Sequence, residues 1–266
     1  MVGFQVVLRA VDDRILATTV AARRAFADVV RRIGRRRGLY GFGLADTHGH
    51  ATLICDAPAL GRFVHDVRLS LASALELPIA EADVHNIRDT WHAESLLRYV
   101  HRQDVEHGVN LDPLREGTSL PDLLGLRPSG LWMADRVRVV VPRVRRENLL
   151  EHWGLSALED HFDLDTLADS GAAAIGRADL RGNAAEAVAA RIACVHSGSA
   201  TTAELADALS ITTRSVRALR LLEPDPKLVR AVRLQMGLRA AIEVLPAFVR
   251  DPAKVDYHAA DSRGLA

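Results

Sequence analysis

The order of secondary-structure signals in the first hundred residues constrains the fold more than any other feature of the chain. Short apolar runs rich in β-branched residues alternate with longer segments in which apolar residues recur at helical spacing. The predicted strands cover 4–10, 39–45, the part of 46–56 that follows a tight turn at Asp46-Thr47, and 84–88. The predicted helices cover 16–37, 58–76 and 94–103. This is the order of a split βαβ unit, so we predict an α+β, ferredoxin-like sandwich with an antiparallel sheet and helices on one face.

Two histidines, His48 and His50, stand two residues apart at the start of the third predicted strand. Because successive side chains of a strand point to opposite faces, both imidazoles are expected on the same face. Two imidazoles on one face can hold one metal ion if a third ligand arrives from elsewhere in the chain. The alternative interpretation is that two polar residues simply begin a strand beside a turn.

A candidate third ligand follows on the helix predicted for 94–103. Tyr99 and Gln103 are four residues apart, so a phenol and an amide oxygen share one helix face. An amide oxygen is a hard ligand that suits magnesium or manganese, and a phenol beside such a metal can attack phosphorus. The alternative is an amphipathic helix in which the tyrosine covers the core and the glutamine is solvated.

Taken together, the two stretches resemble a known family. His48-Gly49-His50 resembles the HUH motif, and the run from Tyr99 to Gln103 resembles the Tyr-x-x-x-Gln helix of the single-tyrosine HUH transposases. Residues 98–105 are most similar to the REP-associated tyrosine transposase branch, although that branch commonly has Asn-Pro where this chain has Gln103-Asp104. The resemblance covers roughly residues 4–127 and implies the same ferredoxin-like fold.

The resemblance also implies a reaction. His48, His50 and Gln103 would hold one divalent cation, Mg²⁺ or Mn²⁺, and Tyr99 would attack single-stranded DNA to form a 5′-phosphotyrosine. The expected function is therefore transposase-like nicking and strand transfer at DNA hairpins or palindromes. Two alternatives stay open: a catalytically silent, domesticated DNA-binding protein or regulator of the same descent, and a metal-dependent hydrolase that uses water.

Other residues near the predicted site carry weaker signals. Gly49 stands where the family usually has a bulky apolar residue, and because glycine packs nothing we expect it to loosen the site. The remaining histidines nearby are interpreted as surface or supporting residues rather than metal ligands. They are His85, His92, His101 and His107.

The charge balance limits how the chain can bind nucleic acid. The 266 residues contain 34 basic and 34 acidic side chains, so any DNA-binding surface must be a local patch. The densest basic run comes at the end of the first predicted helix and is interpreted either as a phosphate-binding cluster or as solvated cations at a helix C-terminus. It contains Arg31, Arg32, Arg35, Arg36 and Arg37.

Cysteine usage and the N-terminus indicate the cellular context. Cys55 and Cys194 are far apart, so neither a disulfide framework nor a thiolate zinc site is indicated. No long apolar stretch begins the chain, so we expect no signal peptide, no membrane span and a cytoplasmic protein, acting as a monomer or homodimer.

The predicted domain organisation places a second DNA-binding element after the catalytic domain of residues 1–127. Residues 128–182 are predicted to connect the domains, 183–250 to form a helical domain and 251–266 a flexible tail. Within the helical domain, 201–222 resembles a helix-turn-helix, whose second helix enters the major groove of duplex DNA. The alternative is an ordinary helical hairpin. The arginines expected on the outer face of the second helix are Arg214, Arg217 and Arg220.

Overall fold

In this computed structural model the described residues are 3–45, 47–101, 114, 116–145 and 161–244, with only the backbone described for 241–244. Gln103 and His107, both singled out from the sequence, lie outside the described residues.

The described chain is α+β and is built on one open, four-stranded antiparallel sheet. The strands are β1 (Gly3–Arg9), β2 (Leu39–Leu44), β3 (His48–Leu53) and β4 (Asp83–Ile87). Their order in the sheet is β2-β3-β1-β4, so β3 and β1 occupy the two central positions. All four predicted strands are confirmed to within a few residues.

Ten α-helices fall within the described residues, and none of those helices has both the length and the apolar character of a membrane span. They are α1 (Val20–Gly34), α2 (Ala57–Leu75), α3 (Thr90–His101), α4 (Leu120–Leu124), α5 (Trp132–Val140), α6 (Leu167–Ile175), α7 (Ala185–His196), α8 (Thr202–Ala208), α9 (Thr213–Arg220) and α10 (Pro226–Val244).

Capping residues set the starts of the two long helices beside the sheet. The Thr19 side chain accepts a hydrogen bond from the Ala22 amide, so α1 begins later than the predicted residue 16. Asp56 caps α2 in the same way, accepting from the Ala59 amide at 2.7 Å. The predicted bounds of α2 are confirmed to within one residue.

Helices lie on both faces of the sheet, which corrects the prediction that they lie on one. On one face, the ring of Phe26 in α1 lies directly against Gly49, where any side chain would overlap it. On the other face, the backbone of α3 lies so close to Gly43 that a side chain there would overlap the Val100 carbonyl group. Gly43 and Gly49 therefore act as contact surfaces, and the expectation that Gly49 packs against nothing is wrong.

The segment predicted to connect two domains contributes to two hydrophobic cores. Met133, Val137 and Val140 of α5 pack into the core beneath the sheet. Helix α6 packs with α7 and α10 in a second, all-helical core.

An ion-pair bridge joins the sheet half to the helical half. Arg24 of α1 is buried and contacts Glu116 at 2.9 Å and Asp169 of α6 at 2.8 Å. Arg239 of α10 contacts the same Asp169 at 2.5 Å. Beside the bridge, leucines of α4 and α10 form a third apolar cluster that includes Leu120 and Leu234. The two halves are thus held together by apolar packing and by ion pairs in which both arginines are buried and Asp169 is half-exposed.

Candidate active site

The two histidines of β3 share one face of the sheet, as the strand period predicts. Their ring centroids are 4.9 Å apart and the rings meet at 72°. His48 is half-buried, whereas the His50 side chain belongs to a residue only 5% exposed. Because β3 is hydrogen-bonded to β1 and β2 on its two sides, the backbone that carries both imidazoles is fixed from both directions.

Tyr99 reaches the same place from α3. Its ring meets the His50 ring edge to face, with centroids 5.4 Å apart and an interplanar angle of 87°. Gly43 explains the approach, because it pairs with His50 across β2 and β3 and leaves room for the α3 backbone at Val100. The sheet and the helix therefore bring a phenol and two imidazoles together.

Both imidazoles are engaged through Nδ1. The Gln5 amide nitrogen on β1 donates to Nδ1 of His50 at 2.9 Å, and the Thr47 hydroxyl lies 3.3 Å from Nδ1 of His48. A histidine that donates the N–H of one ring nitrogen is oriented to ligate a metal through the other, whereas Nδ1 of His50 here accepts from Gln5. Sequence reasoning missed Gln5, although it is the one polar residue in the otherwise apolar run from Phe4 to Leu8.

A second missed residue, Ser119, fixes the end of the tyrosine helix. Its Oγ lies 2.8 Å from Nε2 of His101 and accepts a hydrogen bond from the Phe42 amide at 3.1 Å. The Ser119 amide in turn donates to the Phe42 carbonyl group. The interpretation of His101 as a supporting residue agrees with this contact, since it anchors α3 to the edge of β2.

The residues described around Tyr99 supply two nitrogen donors for a cation. Within the described ranges, no group of three or more His, Cys, Asp or Glu side chains is arranged to hold a metal ion. The amide oxygen predicted as third ligand belongs to Gln103, outside those ranges. His85 is exposed on β4, and His92 receives a hydrogen bond from the Arg88 amide at the start of α3.

The structure separates two tyrosines by environment. Tyr40 is 0% exposed, and burial raises the pKa of its phenol to about 12, with a smaller opposing effect from the Thr52 hydroxyl. A buried phenol held in its protonated form is a poor nucleophile. Tyr40 is therefore structural, as its strand position indicates, and Tyr99 is the tyrosine beside the histidines.

An exposed tryptophan lies on the tyrosine helix. Trp91 is 76% exposed and precedes Tyr99 by eight residues, which is about 12 Å along a helix axis. Exposed aromatic rings are the usual stacking platforms for the bases of single-stranded nucleic acid. Sequence reasoning missed Trp91 because a tryptophan is more often buried than exposed.

The basic run after α1 divides into buried and accessible arginines. Arg31 is only 5% exposed and contacts Asp122 at 3.2 Å and Asp28 at 3.1 Å, so its predicted contact with DNA is corrected to a structural ion pair. The other four arginines of the run, Arg32, Arg35, Arg36 and Arg37, line a groove of about 790 Å³ with Trp132 and with the acidic residues Asp28, Asp66 and Glu186. Within it, Arg37 pairs with Asp66 at 2.6 Å.

This basic groove lies at the far end of the sheet from the histidines. Arg37 precedes Leu39, the first residue of β2, whereas Gly43 of the same strand pairs with His50. Four strand residues separate the two places by roughly 13 Å. The groove and the Tyr99–His50 contact are therefore two separate places on the molecule.

The predicted helix-turn-helix stretch forms two short helices with well-made caps. Thr201 and Glu204 form a reciprocal capping box at the start of α8, and Thr212 caps α9. Arg214 and Arg217 are exposed on α9. The third arginine that was predicted to contact DNA, Arg220, makes hydrogen bonds within the protein.

Arg220 donates to the Thr202 hydroxyl at 2.9 Å and to the Ala200 carbonyl at 2.6 Å. Its guanidinium holds the end of α9 against the start of α8, although the residue remains exposed.

Comparisons of the chain with protein-family models, curated proteins and solved structures found no match.

Proposed function

We propose that this protein is a metal-dependent, transposase-like DNA endonuclease and strand transferase that acts on single-stranded DNA at hairpins or palindromes. The observation that carries the proposal is the edge-to-face contact between the Tyr99 phenol and His50, one of two imidazoles on the same strand face. A ferredoxin-like arrangement of the sheet half is part of the proposal. It is supported by the element order β1-α1-β2-β3-α2-β4 and the strand order β2-β3-β1-β4.

The proposed roles follow from the chemistry of each side chain. His48 and His50, with Gln103, would hold one Mg²⁺ or Mn²⁺, which would polarise the scissile phosphate. The Tyr99 oxygen gives its proton to solvent and forms a bond to phosphorus while the bond from phosphorus to the 3′-oxygen breaks. The products are a 5′-phosphotyrosine and a 3′-hydroxyl, whose oxygen takes up a proton from solvent. Attack by another 3′-hydroxyl reverses the step and joins strands without ATP.

Three surfaces offer contacts to the DNA around that centre. Trp91 is positioned to stack a base on the strand that leaves Tyr99 along α3. The groove that holds Arg35 and Arg36 supplies positive charge at the far end of the sheet. Helix α9 would bind duplex DNA through Arg214 and Arg217.

The experiment that tests the nucleophile compares two phenylalanine substitutions. With a labelled hairpin oligonucleotide and Mn²⁺, Tyr99→Phe is expected to abolish both nicking and the covalent protein–DNA adduct on a denaturing gel. Tyr40→Phe is the matched control, because it removes a buried phenolic hydroxyl elsewhere in the same half, and it should retain both. Full nicking by Tyr99→Phe rejects the nucleophile, and nicking without an adduct in the wild type favours a hydrolase that uses water.

The second candidate is a DNA-binding protein that no longer cuts, and the exposed arginines of α9 favour it because they are independent of the tyrosine site. Replacing Arg214 and Arg217 with serine should lower the slope of log K against log salt for duplex binding by roughly 1.8, about 0.9 per lost phosphate contact. Arg181, which is also exposed, provides the control position. Calorimetry separates the candidates, since only the enzyme requires Mn²⁺ binding that depends on His48 and His50.

A further inference from the structure

Gln5 lies beside the histidine pair but plays no part in the roles proposed above. It occupies β1, the strand next to β3, and pairs in register with Thr52, while Val7 pairs with His50. Gln5 is therefore the diagonal neighbour of His50 on the same face, a position that a long side chain spans. The hydrogen bond from its amide nitrogen to Nδ1 of His50 measures 2.9 Å.

This bond decides which nitrogen of His50 carries the proton. A neutral imidazole has one N–H donor and one acceptor nitrogen, so a donor at Nδ1 places the ring proton on Nε2. A carboxamide has a donor and an acceptor at the same distance from its last rotatable bond. If it turns by half a rotation, its oxygen accepts from Nδ1–H, and the lone pair then resides on Nε2.

We infer that Gln5 is a positioning residue that sets the tautomer of His50 and changes it by turning its carboxamide. With the amide nitrogen toward Nδ1, His50 carries its proton on Nε2. With the amide oxygen toward Nδ1, His50 presents Nε2 as a ligand atom, as metal-binding histidines do when they donate their other N–H to an oxygen. The ligand half of this inference rests on the proposed function, whereas the tautomer half concerns the protein without metal or DNA.

The tautomer is tested by long-range ¹H–¹⁵N NMR of the imidazole nitrogens in metal-free protein. The wild type should show His50 protonated on Nε2. Gln5→Glu, whose oxygens only accept, should move the proton signal to Nδ1, and Gln5→Met should leave a mixture of both tautomers. His85→Ala is the control. His85 is exposed and pairs with Gln5 on β4, but it is not part of the hydrogen bond between Gln5 and His50. An identical nitrogen pattern in all four proteins would overturn the tautomer half.

Titration with Mn²⁺ alone tests the ligand half. We expect Gln5→Met to weaken Mn²⁺ binding by about 10-fold or more, the usual effect of losing such a supporting contact, and Gln5→Glu to bind at least as well as the wild type. Equal affinity in Gln5→Met and the wild type, or no Mn²⁺ binding by the wild type, overturns the ligand half. Thermal unfolding of each variant without metal checks that it is folded. Because neither measurement uses DNA cleavage, the tautomer result stands or falls separately from the proposed reaction.

Discussion

The two faces of β3 have opposite characters. Gly49, Ala51 and Leu53 face α1 and α2, and all three are buried in apolar packing. His48 and His50 face α3, where the contacts are hydrogen bonds and aromatic edges. One face thus stabilises the fold by filling the apolar core, and the other positions the two imidazoles beside Tyr99. Both faces belong to the same six-residue strand. Neighbouring positions of this strand therefore respond differently to substitution. A change at Gly49, Ala51 or Leu53 alters core packing, whereas a change at His48 or His50 alters the polar contacts of the site.

The largest expected effect is on the apolar face. Phe26→Ala removes the ring that lies against Gly49 and should lower the free energy of unfolding by about 3–5 kcal/mol. Urea denaturation measures the loss. Gly49→Val in the Phe26→Ala background should recover part of it, because the added side chain occupies the vacated space, whereas Gly49→Val alone should destabilise the protein. If the double variant is less stable than Phe26→Ala, Gly49 and Phe26 are not complementary in volume.

A smaller effect is expected where the polar face meets α3. Gly43→Ala places a methyl group against the Val100 carbonyl, so α3 must shift, at a cost of about 1–3 kcal/mol. Because Tyr99 is next to Val100, the variant should also lose nicking activity while it remains folded. Gly61→Ala is the control, since a side chain at Gly61 meets no neighbour and Gly61 lies inside α2. Normal activity of Gly43→Ala would show that the close approach of α3 does not position Tyr99.

The remaining effect is absent at neutral pH and is visible only in alkali. The pKa of Tyr40 is raised from 10.0 to about 12 in the folded protein, so its stabilising contribution is complete below pH 10 and is lost as the pH rises toward 12. Wild type should lose about 2 kcal/mol more than Tyr40→Phe over that range in pH-dependent denaturation. Burial also raises the pKa of Cys194 to about 12, so only the difference between the two proteins reports on Tyr40. Parallel curves would contradict the assignment of Tyr40 as a buried phenol.

The sequence predicts well what depends on local periodicity. The strand bounds, the bounds of α2 and the shared face of His48 and His50 all follow from spacing. The proximity of Tyr99 to His50 is different, because two separate elements must converge. Spacing alone leaves an amphipathic helix as a full alternative, and only the family resemblance predicts the encounter.

What the sequence misses depends on partners far along the chain. Arg31 reads as one of five similar arginines, yet Asp122 from another segment buries it as an ion pair. From the sequence, Gly49 is expected to pack against nothing. In the structure the ring of Phe26 in α1 occupies the space that a side chain at Gly49 would need. Gln5 and Ser119 acquire roles only when the sheet and α3 bring His50 and His101 to them.

The ion-pair bridge has a consequence for any DNA that engages both halves. Arg24 and Arg239 share Asp169, so α1 of the sheet half and α10 of the helical half are joined by ion pairs, and replacing Asp169 would remove one partner from each of two buried guanidinium groups. If DNA engages both halves as proposed, the distance between its two contact points is therefore set by the fold. Cleavage should therefore rise and fall as base pairs are inserted between hairpin and duplex arm, returning after about one turn of 10–10.5 base pairs.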